Sequence, residues 1–489
     1  EVAARSRSQH KSQGFGSSPR LGSQTEYLEL INGDKILNTN PFNGIDISWN
    51  RIKGGKKIKK LIEVVINDFE IEKPYKSIPE LLKIYGEILS LEDKHWKNIK
   101  LNEVKSLIKN CLGIRLQFNT SNESGVANMF IPVKIMAFNP SPIPIKLKII
   151  SKSFKVEPSA NLSNNQVWEI NEKFKIPEVK TTPYWLLTEG DLGNYKVENE
   201  TLKILPETPN PIKVQFKILI NNTEIPFEVP LTYRITDQVD GEVIQNFQVL
   251  PRVTTQLNKK VLLLKDNTPK EIIVNVTSHI EKFNGLVTLK TPLGWSFTPR
   301  SFEVKIDNSG TSEEYVFKLK PPNGNNTGIF SSLVIEGDKS HMFSLEKINY
   351  PHISKQYLLT PNKTKISKID LKSNINKVAY LKGAGDKIPE SLRNIGIEVT
   401  EFDIDELRLE TILPFPTLIV GIRAFNIQKD LKFKNKILWK YVEQGGTAIV
   451  QYNTSRGLDS SIVAPYPIEI SRDRVTDENA AVKFLLENH

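Results

Sequence analysis

The densest set of side chains able to hold an anionic or polar substrate lies in ARSRSQHKSQGFGSS, near the start of the 489-residue chain. Arg5, Arg7, His10, Lys11 and Gln13 fall within nine residues and run into a glycine loop. Two readings are open. The run is a flexible basic arm, or it is the anion- or substrate-binding edge of a domain whose remainder lies upstream.

Elsewhere the inventory is thin. None of the six histidines (His10, His95, His279, His341, His352 and His489) stands in HxH, HxxH or HExxH spacing, so no metal site is built by a local motif. The single cysteine, Cys111, lies in the apolar SLIKNCLGIRLQF and reads as a buried thiol, which excludes an intrachain disulfide framework. No GxSxG elbow occurs. Gly383-Ala384-Gly385-Asp386 follows a strand pattern and precedes a helix, where an α/β sheet can carry a phosphate loop. It lacks the third glycine of GxGxxG and the Lys-Ser/Thr of a P-loop, and so reads as a tight turn with Asp386 near a helix start.

The elements around these residues change character three times. Residues 1–50 read as loop and extended chain. Leu61, Val64, Val65 and Phe69 have helical spacing, Ser77 with Glu80 forms a capping-box pattern, and LNEVKSLIKNCLG ends at a C-capping glycine, Gly113. From 113 the period becomes two, in short strands separated by Asn, Pro, Ser and Gly turns, which indicates β-sandwiches. From 375 strands and helices alternate, as in a doubly wound parallel sheet. An amidotransferase site in such a sheet needs a cysteine at a sharp strand-to-helix turn, plus His and Glu. The only cysteine is hundreds of residues away.

Sixty-six Lys+Arg against 56 Asp+Glu give a net charge of +10, spread along the chain. The local maximum, Lys53, Lys56, Lys57, Lys59 and Lys60, has no nucleic-acid motif beside it and reads as a solvated helix start, so no nucleic-acid partner is expected. No apolar run approaches the ~18 residues of a membrane helix, so no membrane span is expected. The opening residues show neither a signal peptide nor an initiator Met, and the chain is expected to be a piece of a longer product.

AARSRSQHKSQGFGS with GSQTEYLELINGDK and FNGIDISW resembles the stretch that closes the catalytic domain of long bacterial PIG-L (LmbE-like) deacetylases. TTPYWLLTEGDLGNYKV, DQVDGEVIQNFQVLPRVT and LGWSFTPRSFEV resemble the sandwich modules of those proteins. KVAYLKGAGDKIPESLRNIGIEVTEFD, LIVGIRAFN, VEQGGTAIVQYNTS and PIEISRDRVTDENAAV resemble their C-terminal amidotransferase-like domain. The resemblance implies a parent that is an exported, zinc-dependent N-deacetylase acting on N-acyl, typically N-acetyl amino-sugar, substrates. The family's HPDD motif and later zinc-binding histidine are missing from this sequence, so no zinc is expected on this chain and its activity alone is expected to be nil. The alternative is a non-catalytic scaffold that holds carbohydrate or a cell-surface partner.

The implied architecture is multidomain and mainly β. Residues 1–57 would be the loop-rich end of the deacetylase domain and 58–112 a helical unit. Two β-sandwiches would cover 113–237 and 238–352, with TDQVDGE at 236–242 as their joint. A linker, 353–374, would lead to an incomplete amidotransferase-like α/β domain at 375–489. In the sandwiches, Tyr184, Trp185 and Trp295 are candidates for stacking on sugar rings, with structural aromatic plugs as the other reading.

Overall fold

A computed structural model of the chain describes residues 2–10, 13, 22–23, 25–33, 40, 42, 44–151, 153–154, 157–191, 193–351, 353–473, 475–477, 480–481 and 483. The fold is multidomain and mainly β, with a small helical unit before the first sandwich. No helix among the described residues is long and apolar enough to cross a membrane.

Helix α1 (Val2–Gln9) stands where loop was expected and buries none of its residues. Its VAARSRSQ sequence holds neither Gly nor Pro, and Ala, Arg and Gln are good helix formers. The helical unit is α2 (Gly55–Asn67), α3 (Ile78–Leu89) and α4 (Lys94–Leu112). On α2 the inward positions are Ile58, Leu61, Ile62 and Val65, while Val64 and Phe69 face water. Ser77 makes no side-chain cap, because a 3-10 turn at Pro74–Ser77 runs directly into α3 and gives it helical backbone angles. Asp93 caps α4 by accepting the Trp96 amide at 3.0 Å, and Gly113 ends it with φ 67°.

The first sandwich contains β1 (Arg115–Thr120), β2 (Ser124–Val126), β3 (Phe130–Asn139), β4 (Ile145–Ile150), β5 (Ser159–Leu162), β6 (Gln166–Lys175), β7 (Lys213–Ile220), β8 (Thr223–Asp237) and β9 (Gly241–Asn246). Its strand path is β5-β4-β7-β8-β1-β3-β6, with β9 on β8. Strand β8 pairs with β7 through residues 223–230 and with β1 and β9 through 231–237, so one strand serves both layers. Alternation places Ile131, Val133, Ile135 and Ala137 of β3 inward. These residues share one core with Ile78, Leu81, Ile88 and Leu112 of the helices. Residues 236–242 are not a joint between sandwiches. They form the β8–β9 hairpin turn, in which the Asp237 carboxylate accepts the Val239 and Asp240 amides at 2.7 and 3.0 Å.

The second sandwich follows with β10 (Gln248–Leu250), β11 (Val253–Leu257), β12 (Val261–Leu264), β13 (Lys270–Ser278), β14 (Phe283–Lys290), β15 (Ser296–Thr298), β16 (Phe302–Ile306), β17 (Ser312–Lys320), β18 (Asn326–Glu336), β19 (Lys339–His341), β20 (Phe343–Ile348), β21 (Gln356–Pro361) and β22 (Thr364–Lys368). Its layers are β11-β13-β17-β15 and β12-β22-β18-β14-β16, the latter carrying β19 on β18; β20 and β21 form a separate hairpin. β10 pairs in parallel with β2 and ties the two sandwiches together. The segment 353–374, expected as a linker, carries β21 and β22. Thr364, Ile366 and Lys368 of β22 alternate inward, which makes it a strand of the sandwich.

The last unit is β23 (Lys377–Leu381), α5 (Ile388–Asn394), β24 (Glu398–Phe402), α6 (Leu409–Ile412), β25 (Thr417–Val420), α7 (Ala424–Ile427), α8 (Leu431–Glu443) and β26 (Thr447–Val450). Its four parallel strands run β24-β23-β25-β26. Alternate residues feed two cores. Ala379, Leu381, Leu418 and Val420 pack with α8, and Val378, Tyr380, Val399 and Ile419 pack with Leu392 of α5.

Candidate functional site

In an open parallel sheet, ligands bind beyond the carboxyl ends of the strands, where the strand order reverses. Here that point lies between β23 and β25. Two glycine turns meet there: the Ala384 amide donates to the Ile422 carbonyl at 2.8 Å, and the Gly421 amide donates to the Leu381 carbonyl at 2.8 Å.

Asp386 ties the turns together. Its carboxylate accepts the Tyr380 hydroxyl at 2.5 Å, the Ile388 amide at 2.8 Å, the Gln451 side-chain amide at 3.2 Å and the Ile422 amide at 3.4 Å. Burial raises the Asp386 pKa, but these hydrogen bonds outweigh it and hold the carboxyl below the usual range. Burial and the neighbouring carboxylate push the Tyr380 phenol well above its ordinary value. Both groups keep fixed protonation states at neutral pH, so they position the loops rather than exchange protons.

Asp386→Asn is expected to cost about 2 kcal/mol at pH 7, because the tyrosine and amide donors lose a charged acceptor. A depressed folded pKa contributes stability above the unfolded value of about 3.9 that is lost as pH falls through the folded value. The difference between wild type and variant in urea unfolding should therefore narrow below that pH.

The sharp turn from β25 into α7 is where an amidotransferase-like nucleophile would have to stand. It carries Arg423, in the left-handed region at φ 56°. The guanidinium lies 6.0 Å from the Tyr452 ring centroid, and both side chains are exposed. The crevice offers a cation and an aromatic face, but its turn holds no nucleophile and base.

Gly383-Ala384-Gly385-Asp386, singled out by sequence, forms this crevice; none of the other singled-out residues that are described bonds to Asp386. Arg5 and His10 are exposed, Arg7 is half-buried, and His10 Nδ1 lies 2.7 Å from the Ser6 carbonyl within the same short helix segment. Gln13 is exposed, and its amide donates to the His10 carbonyl at 3.1 Å. Lys11 lies outside the described residues. Of the five lysines at 53–60, three pair with carboxylates: Lys53 with Glu92, Lys57 with Glu87 and Lys59 with Glu63.

The aromatic candidates are structural in their placement. Trp295 is 6% exposed in the second sandwich core and donates its indole N–H to Asn326 Oδ1 at 2.8 Å, so neither ring face is open to a sugar. Tyr184 is buried, with its hydroxyl donated to the Leu205 carbonyl at 2.9 Å. Trp185 packs edge-on to it at 4.9 Å and borders a cleft of about 40 Å³, too small for a pyranose ring. Among the described residues no group of three or more His, Cys, Asp or Glu stands close enough to hold a metal ion.

Sequence reasoning passed over Tyr380 and Gln451, whose partnership spans 71 positions, and His279 beside β13. A Tyr one residue before a strand end and a Gln just past another strand were the only signals for the first two.

No family model matches the chain. No curated protein matches it. Solved structures match in part. The elastase-activated α2-macroglobulin of Escherichia coli is 10% identical, with a TM-score of 0.19, over 52% of this chain and 22% of that one. A protein of unknown function from Porphyromonas gingivalis is 10% identical over 52% of this chain and 99% of its own, with a TM-score of 0.17. The ASH/PapD-like domain of human CEP192 is 11% identical over 24% of this chain and 87% of its own, with a TM-score of 0.16. The chain thus spans about a fifth of the bacterial macroglobulin.

Proposed function

We propose that this chain is the accessory part of a PIG-L/LmbE-like, zinc-dependent N-deacetylase that is exported and acts on N-acetyl amino sugars. The observation that supports it most is the state of the N-terminal run. α1 buries nothing, and Arg5, Arg7 and His10 form no ion pair among the described residues, whereas the chain from Ile52 onward is packed into cores. A helix with two arginines and no apolar footing of its own suits a segment that completes a different domain. In that domain the run would lie at the pocket, where a cationic donor can stabilise the oxyanion formed on the attacked carbonyl. Zinc would be held by that domain. The sandwiches would bind or space carbohydrate, and the α/β unit would be an amidotransferase-like domain without amidase chemistry.

The parent enzyme, with an HPDD-containing domain preceding residues 1–489, should release acetate from N-acetylglucosaminides, lose this on dialysis against a chelator and recover it with zinc. Within it, Arg7→Ala or His10→Ala should lower turnover about a hundredfold at unchanged melting temperature. The 489-residue chain alone should release no acetate. Release by that chain at the parent's rate, or turnover within about threefold of the parent for both variants, would overturn the reading.

A further inference from the structure

A cleft of about 310 Å³ lies where the second sandwich meets the first, at the lower end of the roughly 300–1,000 Å³ range of small-molecule sites. Its floor is the outer face of the β11-β13 pair. Thr254 stands opposite Thr277 and Gln256 opposite Asn275, so four neutral hydrogen-bonding side chains share one patch. His279 adds an imidazole, with Nε2 2.9 Å from the Thr254 hydroxyl. The walls come from elsewhere: Ser124 and Gly125 of β2, Leu250 of β10, and Leu345 and Lys347 of β20.

The charge is one-sided. No Asp or Glu lines the cleft, and its one formal charge is Lys347. Lys347 forms no ion pair among the described residues, and its Nζ sits 5.1 Å from the Tyr357 ring centroid. Glu123, a nearby carboxylate whose charge it senses, is already paired with Lys355. Glu314, opposite Asn275 on β17, lies outside the lining. The cleft presents amides and hydroxyls under a single ammonium.

We propose that this cleft binds one uronic acid residue, with its hydroxyls on Thr254, Gln256, Asn275 and Thr277 and its carboxylate toward Lys347. Amide and hydroxyl groups both donate and accept, as a ring of sugar hydroxyls requires. The ammonium supplies a charge-assisted bond that a neutral hexose cannot use. The inference deepens the carbohydrate part of the proposed function, and it concerns residues that the deacetylase assay does not probe.

The test uses the full 489-residue chain, with glucuronic acid and glucose as probes in calorimetric titration and saturation-transfer NMR. Glucuronate should bind at least tenfold more tightly than glucose. Lys347→Met should remove that preference and leave glucose binding unchanged. Gln256→Glu, on an exposed strand position, should abolish glucuronate binding by placing a like charge in the patch. Equal binding of the two sugars, no binding of either with a Kd of about 1 mM or tighter, or glucuronate binding indifferent to both substitutions would overturn the proposal.

Discussion

Gly383→Ala is expected to destabilise the C-terminal α/β unit by about 4 kcal/mol, at the upper end of single-substitution effects. A Cβ there would lie 2.2 Å from the Ile422 carbonyl oxygen and 2.7 Å from the Gly421 carbonyl carbon. Both obstacles are main chain, so no side chain can swing away, and the two turns must separate. That separation removes the Ala384–Ile422 bond and pulls the Ile422 amide from Asp386. Gly385→Ala is the control. Its φ is +96° but nothing stands within 4 Å of the added carbon, so only a backbone cost of about 1–2 kcal/mol applies. Calorimetry should show the transition of the α/β unit falling steeply for Gly383→Ala and slightly for Gly385→Ala, with the sandwich transitions in place. Equal shifts for the two variants would show that the crossing is not tight.

His279 should make the second sandwich acid-sensitive. Burial, and then the charge of Lys347, lowers its pKa from 6.5 to about 4. A histidine with a depressed folded pKa takes up protons more readily when unfolded, so stability falls as pH drops from 6.5 towards 4. The full loss is about 3 kcal/mol at 1.36 kcal/mol per pKa unit. Glu123, near Lys347, has its carboxyl held below the usual range because the hydrogen bonds from Lys355 and Tyr357 outweigh the upward push of burial. No Asp or Glu lines the cleft itself, so the acid sensitivity is assigned to the imidazole. In urea unfolding at a series of pH values, His279→Gln should flatten the slope between pH 4 and 6.5 while leaving slopes below pH 4 alone. An unchanged slope in the variant would assign the acid sensitivity to other groups.

Local patterns were legible wherever one face of an element is buried. The alternation of Ile131, Val133, Ile135 and Ala137, the helical spacing of α3, and the capping glycine Gly113 could each be read from a few neighbouring residues, whereas the spacing of α2 gave the helix but only half of its inward face. The turn at Gly383–Asp386 could be placed the same way. Its function as a knot could not, because Tyr380, Ile422 and Gln451 are brought to Asp386 only by strand order. The cleft was hidden for the same reason, since its lining comes from segments as distant as Ser124 and Lys347. For Trp295 the sequence leaves open a sugar-stacking ring or a structural plug, because nothing near it in the chain shows which way the indole points. The indole folds inward and satisfies its N–H on Asn326, 31 positions away. β22 was missed because TKISK is short and polar, and its inward lysine disguises the alternation.

That strand also sets the order in which the chain can become a folded object during synthesis. β12 pairs with β22 and is attached to its layer through it, with the Ile369 amide closing on the Leu264 carbonyl at 2.9 Å. The partner is made roughly 100 residues later, a delay of about 5–20 s at ordinary translation rates. Through that interval β12 waits as a bare strand edge, joined in its last third by the open flank of β18, the form most prone to pairing with another chain. A fragment designed to end at residue 352 would keep that state permanently. One that ends after Ile369 would let the layer close, so the natural cut for producing the sandwiches without the α/β unit lies between residues 370 and 376.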